Sequence, residues 1–170
     1  MRLGLPVNFL NVGFKCWCME LIAVQECLDD NLEFTGNPLC HESIYTSVDF
    51  YKKVGFSPPW ICYYVKQNEN LIGCAAFKGK PVNGAVEIAY GTFENFRNQG
   101  VGTYICKILV ELSLRTDSTV RITARTLPEG NFSTKILKKN GFQFIGNVYD
   151  PEDGDVWEWE YKASDKIMVY

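Results

Sequence analysis

Apolar and polar positions fall into short blocks along this chain, and the spacing within each block predicts its conformation. Residues 20–24 read as a short strand, and 25–34 as a weakly helical segment that Gly36-Asn37-Pro38 breaks. Ile44, Val48, Tyr51 and Val54 recur at helical spacing, which predicts a helix over 42–54. Lys52 and Lys53 suit its C-terminal dipole, Gly55 suits the position just past its end, and Ser57-Pro58-Pro59 prevents continuation. A hairpin follows: 60–66 is aromatic and β-branched, Gln67-Asn68-Glu69-Asn70 is a polar turn, and 71–77 returns. Residues 78–84 carry two glycines and a proline and read as a loop. In the next strand, 85–92, Val86, Ile88 and Tyr90 point to one face while Glu87, Ala89 and Gly91 point to the other.

The second half is patterned more strongly. Val101, Tyr104, Ile105, Ile108, Leu109 and Leu112 form an apolar stripe on a helix over 101–114, with Lys107, Glu111 and Arg115 opposite. Glu111 precedes Arg115 by four residues, the favourable orientation for an ion pair. Residues 120–126 alternate as a strand that Leu127-Pro128-Glu129-Gly130 ends. A short helix is expected over 131–140, with Asn131 as N-cap, Lys135, Lys138 and Lys139 in its later turns and Gly141 at its end. Strands at 142–149 and 156–161 flank a turn rich in aspartate, proline and glycine. This order predicts a mixed α/β domain of the α+β type, with one largely antiparallel sheet flanked by about four helices. Its helical crossovers follow Thr92 and Thr126.

Length and composition narrow the picture. The 170 residues fit one domain, and 46% hydrophobic with 22% charged residues is a soluble globular balance. A net charge of −3 offers no basic field for nucleic acid or an anionic membrane, so any anion site is local. No apolar run reaches the roughly 18 residues of a membrane span. Seven cysteines are an odd count, and Cys62, Cys74 and Cys106 lie in apolar runs, which points to reduced core thiols and a cytoplasmic setting. Cys16-Trp17-Cys18 with Cys40-His41 matches no usual zinc spacing, so no metal is expected. Residues 1–18 read as an extension outside the core, 19–162 as one domain and 163–170 as a tail.

The stretch between the strand at 85–92 and the helix at 101–114 carries the chemistry. Strand, glycine-rich turn and helix in that order place unbonded backbone N–H groups and the positive end of a helix dipole at one point. Gly100 and Gly102 leave no Cβ between that backbone and an anion. The alternative is a glycine turn that only starts a helix. The string is not a P-loop, which needs G-x-x-x-x-G-K-[S/T], nor a dinucleotide fingerprint, since Ile105 stands at the third glycine.

Arg97-x-x-Gly100-x-Gly102 resembles the acyl-CoA pyrophosphate loop, Q/R-x-x-G-x-G/A, of the GNAT acyltransferase superfamily. Two flanking strings resemble it as well: Glu87-Ile88-Ala89-Tyr90-Gly91 its central strand, and Asn131-x-Ser133-x-x-Ile136-Leu137-Lys138-Lys139-Asn140-Gly141-Phe142 its later cofactor-side helix. The resemblance covers roughly residues 20–161 and is nearest to the branch of ribosomal-protein N-terminal acetyltransferases. It implies a GNAT-like fold that transfers the acetyl group of acetyl-CoA directly to a primary amine, on a small molecule or a protein N-terminus. A monomer or homodimer is expected, and the acidic balance disfavours a nucleic-acid or membrane partner. A catalytically silent acyl-CoA-binding module with the same fold is the alternative.

The resemblance also assigns a site. Backbone N–H groups of Asn98, Gln99, Gly100, Val101, Gly102 and Thr103 hold the pyrophosphate, with Arg97 adding charge. Backbone groups near Thr92 and Phe93 meet the pantetheine arm where the central strand splays from the next, and an N–H near Thr92 serves the oxyanion. Asn131 and Ser133 contact the cofactor arm, or serve only as helix caps. Glu87 is the candidate general base, directly or through water. A mid-strand carboxylate is costly unless paired or used, and its competing role is an ion pair with Arg121 or Arg125. Many relatives carry a tyrosine acid four residues after the Ser133 position. Leu137 stands there and cannot donate, which leaves Ser133, Tyr104 or Tyr149, or no acid at all, since a thiolate is already a fair leaving group. His41 reads as a surface or helix-entry residue, and Tyr45, Tyr51 and Trp60 as core or acceptor-side walls.

Overall fold

A computed structural model of the protein describes residues 18–163. The elements begin with β1 (Met19–Ala23), a 3-10 turn (Leu28–Asn31), α1 (Leu32–Thr35) and α2 (His41–Val54). The strands β2 (Cys62–Gln67), β3 (Asn70–Phe77) and β4 (Ala85–Thr92) follow. A 3-10 turn (Glu94–Phe96) then leads to α3 (Val101–Thr116), β5 (Arg121–Thr126), α4 (Phe132–Lys139), β6 (Phe142–Asp150) and β7 (Gly154–Tyr161). Except for Cys18 and Ala163, the extension and tail expected at the two ends lie outside the described residues, as do Cys16 and Trp17.

The strands form one seven-stranded sheet in the order β1-β2-β3-β4-β5-β7-β6. Every neighbouring pair is antiparallel except β4–β5, which the α3 crossover makes parallel. The largely antiparallel mixed sheet expected from the residue pattern is therefore present, and β4 has the bounds that its alternation indicated.

Each face of the sheet has its own cover. Helix α2 buries Ile44, Val48 and Tyr51, and Ser43 Oγ meets the Tyr64 hydroxyl of β2 (2.6 Å). The Tyr51 hydroxyl donates to the Val24 carbonyl (3.0 Å) and accepts the Cys62 N–H (2.8 Å), so one phenol ties the helix to two strand ends. Helices α3 and α4 cover the other face, where Ile105 meets Gly73 of β3. The outer end, β6–β7, is zipped by Phe144, Trp157 and Trp159, with the Trp159 indole N–H donating to Thr126 Oγ1 (3.0 Å).

Helix α3 is rolled relative to the expected stripe. Its buried line is Val101, Gly102, Ile105, Cys106, Leu109, Val110 and Ser113, while Tyr104, Ile108 and Leu112 are half-buried at the margin. The smaller side chains let the helix sit close to the sheet, and the larger ones straddle its edge. Ser113 is tolerated at 0% exposure because its hydroxyl donates to the Leu109 carbonyl (2.7 Å). Glu111 faces Lys107 (3.8 Å) rather than Arg115. Cys40, Cys62 and Cys106 are buried free thiols. Among the described residues no helix is long and apolar enough to cross a membrane.

Candidate functional site

The site begins where two strands part. β4 and β5 pair only over Ala85–Ile88 and Arg121–Ala124. Beyond Ile88, β4 stays bonded to β3 as far as Thr92, and β5 to β7 as far as Thr126. Backbone groups alternate sides along a strand. The Glu87 carbonyl accepts from Lys78 and the Phe93 N–H donates to Ile72, both toward β3. The peptide groups of Tyr90 and Thr92 therefore face the wedge between β4 and β5. Of the two positions the resemblance indicated here, Thr92 borders the wedge, while Phe93 spends its N–H on Ile72.

The loop after the wedge turns through left-handed backbone. Asn98 has φ 61° and Gly100 φ 82° with ψ 0°, and α3 starts immediately after with no side-chain cap. Arg97, Asn98, Gln99 and Gly100 are exposed, and Gln99 Nε2 donates to the Asn95 carbonyl (3.1 Å). The two glycines do different work. A Cβ on Gly100 would meet nothing within 4 Å, so its requirement is the positive φ. A Cβ on Gly102 would lie 2.9 Å from Ile136 Cδ1 and 3.2 Å from Thr92 Oγ1. Gly102 is buried and lets α3 close against α4 and the wedge strand, a packing role that the bare spacing does not show.

Gly100→Ala is expected to cost about 1–2 kcal/mol of stability, the price of αL backbone for an alanine. A denaturant titration checks this.

Helix α4 is joined to the same corner. Asn131 Oδ1 accepts the Thr134 N–H (3.1 Å) while Thr134 Oγ1 accepts the Asn131 N–H (3.2 Å), a reciprocal cap that engages the Asn131 side chain. Asn140 Nδ2 donates to the carbonyls of Thr103 (3.1 Å) and Ile136 (3.0 Å), latching the end of α4 to the first turn of α3. That latch is not legible locally, since its two ends are 37 residues apart. Tyr90 reaches across from β4, its hydroxyl donating to the Ser133 carbonyl (3.4 Å). Burial pushes the Tyr90 phenol above its ordinary range, so it stays protonated and acts as a donor.

The acid candidates separate clearly. Leu137 is core at 1% exposure, and Ser133 is half-buried beside Tyr90. Tyr149 is 74% exposed on β6, two strands beyond β5. Tyr90 is the tyrosine that the wedge and α4 share. The signal for it was the alternation of Val86, Ile88 and Tyr90 onto one face.

Glu87 stands on the opposite face, one residue before the last paired position of β4. Arg125 Nε faces its Oε2 at 3.5 Å, while Arg121 pairs instead with Glu160 (3.3 Å). Burial raises the Glu87 pKa above the usual carboxylate range, and Arg125 and Lys78 hold the rise back. A cavity of about 430 Å³ opens beside it, with Lys78, Lys80, Asn83, Glu87, Arg121 and Arg125 among its walls. On α2, His41 is exposed at the first position, Tyr45 is 45% exposed beside it, and Tyr51 is core.

The strand wedge and the uncapped helix start lie side by side, and the half-buried Glu87 stands on the other face of the same strand, just before the wedge opens. The family profile described as Acetyltransferase (GNAT) domain matches residues 23–143. The chain belongs to the GNAT acetyltransferase family. That is a family of acyl-CoA-dependent N-acyltransferases. An uncharacterized N-acetyltransferase, YjdG of Bacillus subtilis (strain 168), is 33% identical over 78 residues, a match that spans 45% of this chain and 46% of that protein. Among solved structures, a RimL ribosomal L7/L12 alpha-N-protein acetyltransferase in complex with coenzyme A superposes with TM-score 0.60 at 17% identity, covering 84% of this chain and 92% of the other. A microcin C7 self immunity acetyltransferase, MccE, in complex with acetyl-CoA and AMP superposes with TM-score 0.62 at 14% identity, covering 85% and 92%. At these identities the likeness is one of fold.

Proposed function

We propose that this protein transfers the acetyl group of acetyl-CoA to a primary amine, carried by a small molecule or a protein N-terminus. The observation that carries the reading is the wedge: β4 leaves its β5-side backbone unpaired directly before an uncapped α3. Both features suit an acyl-CoA, which offers a pyrophosphate for a helix start and an amide-bearing arm for a strand edge. Backbone N–H groups from Asn98 to Thr103 are positioned to hold the pyrophosphate, with Arg97 adding charge at the rim. Tyr90 and Thr92 present backbone groups to the arm, and Asn131 and Ser133 flank it from α4. The bound thioester supplies an activated acyl group.

Glu87 takes the amine proton, directly or through one water. A lysine-like amine near pKa 10.4 lies about 3 pH units, or roughly 4 kcal/mol, from its reactive form at pH 7, and an α-amine near 8 only about 1 unit. A carboxylate with a raised pKa is the stronger base for that step. On the helix side, the Tyr90 hydroxyl, which donates to the Ser133 carbonyl of α4, is a donor where Leu137 cannot serve. The buried leucine is also what favours a second reading, a silent acyl-CoA-binding module.

Calorimetry with acetyl-CoA, together with thiol release over a panel of amines, tests both. Binding with turnover on at least one amine is expected. Binding without turnover on any amine leaves the silent module, and no binding of acetyl-CoA rejects both readings.

A further inference from the structure

We infer that Arg125 is a positioning residue for Glu87, holding its carboxylate in a frame anchored at the β6–β7 turn and setting the pH at which it ionises. The inference rests on the reading of Glu87 as general base. Three guanidinium nitrogens of Arg125 face three carboxylates on three different strands. Nε faces Glu87 Oε2 of β4 (3.5 Å), Nη1 faces Asp150 Oδ2 of β6 (2.7 Å), and Nη2 faces Glu158 Oε2 of β7 (3.8 Å). A guanidinium is a planar, rigid fork, so the short Nη1–Asp150 bond, with Glu158 drawing Nη2 by charge, also sets the direction of Nε.

Asp150 is itself held. Its Oδ1 accepts the N–H groups of Glu152 (2.8 Å) and Asp153 (3.2 Å) in the turn, which keeps its carboxyl ionised below the usual range. The order of constraint runs from turn to Asp150, from Asp150 to Arg125, and from Arg125 to Glu87. The side chains of Glu87, Arg125 and Asp150 are 22%, 33% and 19% exposed, so water screens these contacts less than it screens an open surface pair.

The division of contacts suits a base. Arg125 gives its short bond to Asp150 (2.7 Å) and approaches Glu87 Oε2 at 3.5 Å, an ion pair without a hydrogen bond. Glu87 also lines the cavity of about 430 Å³. A simple ion-pair staple across the strands accounts for the Asp150 contact, but not for a carboxylate that stands beside the same guanidinium, faces a cavity and is left without a hydrogen bond to it.

Lys78 just past β3, Arg125 on β5, Asp150 on β6 and Glu158 on β7 act most on Glu87, and Lys80 and Arg121 share its cavity. Lys78 and Arg125 favour its ionised form, and burial and the two carboxylates oppose it. Without Arg125, the cation nearest Glu87 on its own sheet face is gone while burial and both carboxylates remain, so Glu87 must titrate at higher pH.

Carbon-detected NMR titration of the glutamate carboxyls in the full chain, wild type against Arg125→Gln, reads this directly and needs neither acceptor nor turnover. The Glu87 midpoint is expected to rise by about one pH unit or more in the variant. The acid limb of kcat/KM should move with it, and Arg125→Lys should recover part of the shift by restoring charge without the fork. In a Glu87→Gln background, Arg125→Gln should cause no further loss of kcat/KM. An unmoved Glu87 midpoint, or additive losses in the double variant, overturns the inference. If Arg125→Gln does not fold, the Arg125→Met titration decides, since it also removes the charge, and an unmoved midpoint there is equally fatal. A chain that turns over no amine sinks the catalytic reading, while the midpoint still reports on Arg125.

Discussion

Glu87→Gln is expected to lower kcat/KM for acetyl transfer by about 10²- to 10⁴-fold and to flatten the acid limb of the pH profile, without weakening the fold. The loss should be greatest for lysine-like amines, whose protons are hardest to remove, and smaller for α-amines. Binding of acetyl-CoA should be unchanged, because the helix start and the wedge backbone do not use this side chain. The stability half of the prediction follows from linkage. Burial raises the folded-state pKa of Glu87 above its unfolded value. Between those two values the folded chain keeps a proton that the unfolded chain has lost, so stability falls as pH rises through the window. Above it, the ionised Glu87 carries a net cost that glutamine does not. Arg125 is not orphaned by the change, since Asp150 and Glu158 remain. Thermal melts below and above the window should therefore show the variant at least as stable as wild type on the alkaline side. A wild-type kcat/KM across pH would remove Glu87 from the mechanism. A collapsed melting curve would show that its role is structural.

Local signals reached far into this fold, and stopped where contacts became non-local. The limits of β4, the Asn131 cap and the Gly55 stop were legible because each depends on neighbours within a few residues. The roll of α3 was not. Periodicity gives a helix an apolar side but not the line that touches the sheet, and here close approach chose Gly102, Cys106 and Val110 over Tyr104, Ile108 and Leu112. The site divides in the same way. Glu87 stood out as a lone carboxylate in an apolar strand, with Arg121 and Arg125 as equal partners. Glu160 lies opposite Thr123 and captures Arg121, while Asp150 and Glu158 gather Arg125. That choice depends on how β7 and β6 pair, which no window around Glu87 contains. The wedge, too, is a property of two strands separating and leaves no mark on either one alone.

The glycine whose loss should do most harm is Gly73 rather than either glycine of the loop. It is buried in β3 opposite Thr92, at the bonded margin of the wedge. A Cβ there would stand 2.3 Å from the Gly91 carbonyl oxygen, 3.3 Å from its carbon and 2.9 Å from Ile105 Cδ1. The Ile105 contact is with the end of a flexible side chain and yields by rotation. The Gly91 oxygen is backbone held by β3–β4 pairing, so relief requires β4 to move. Gly73→Ala is therefore expected to cost about 3 kcal/mol, near the upper range for overpacking, or about 6–12 °C in Tm for a chain of this size. Because the strand that must move carries Tyr90 and Thr92, acetyl-CoA should also bind more weakly to whatever fraction stays folded. Gly102→Ala sets the scale, since both of its close neighbours are side-chain atoms, Ile136 Cδ1 and Thr92 Oγ1. A second-site change distinguishes the two cases. Trimming Ile136 to valine should restore Gly102→Ala, whereas trimming Ile105 to valine should leave Gly73→Ala nearly as unstable as before. Full rescue of Gly73→Ala by the Ile105 change would mean that the helix side chain, not the β4 backbone, sets the limit at this position.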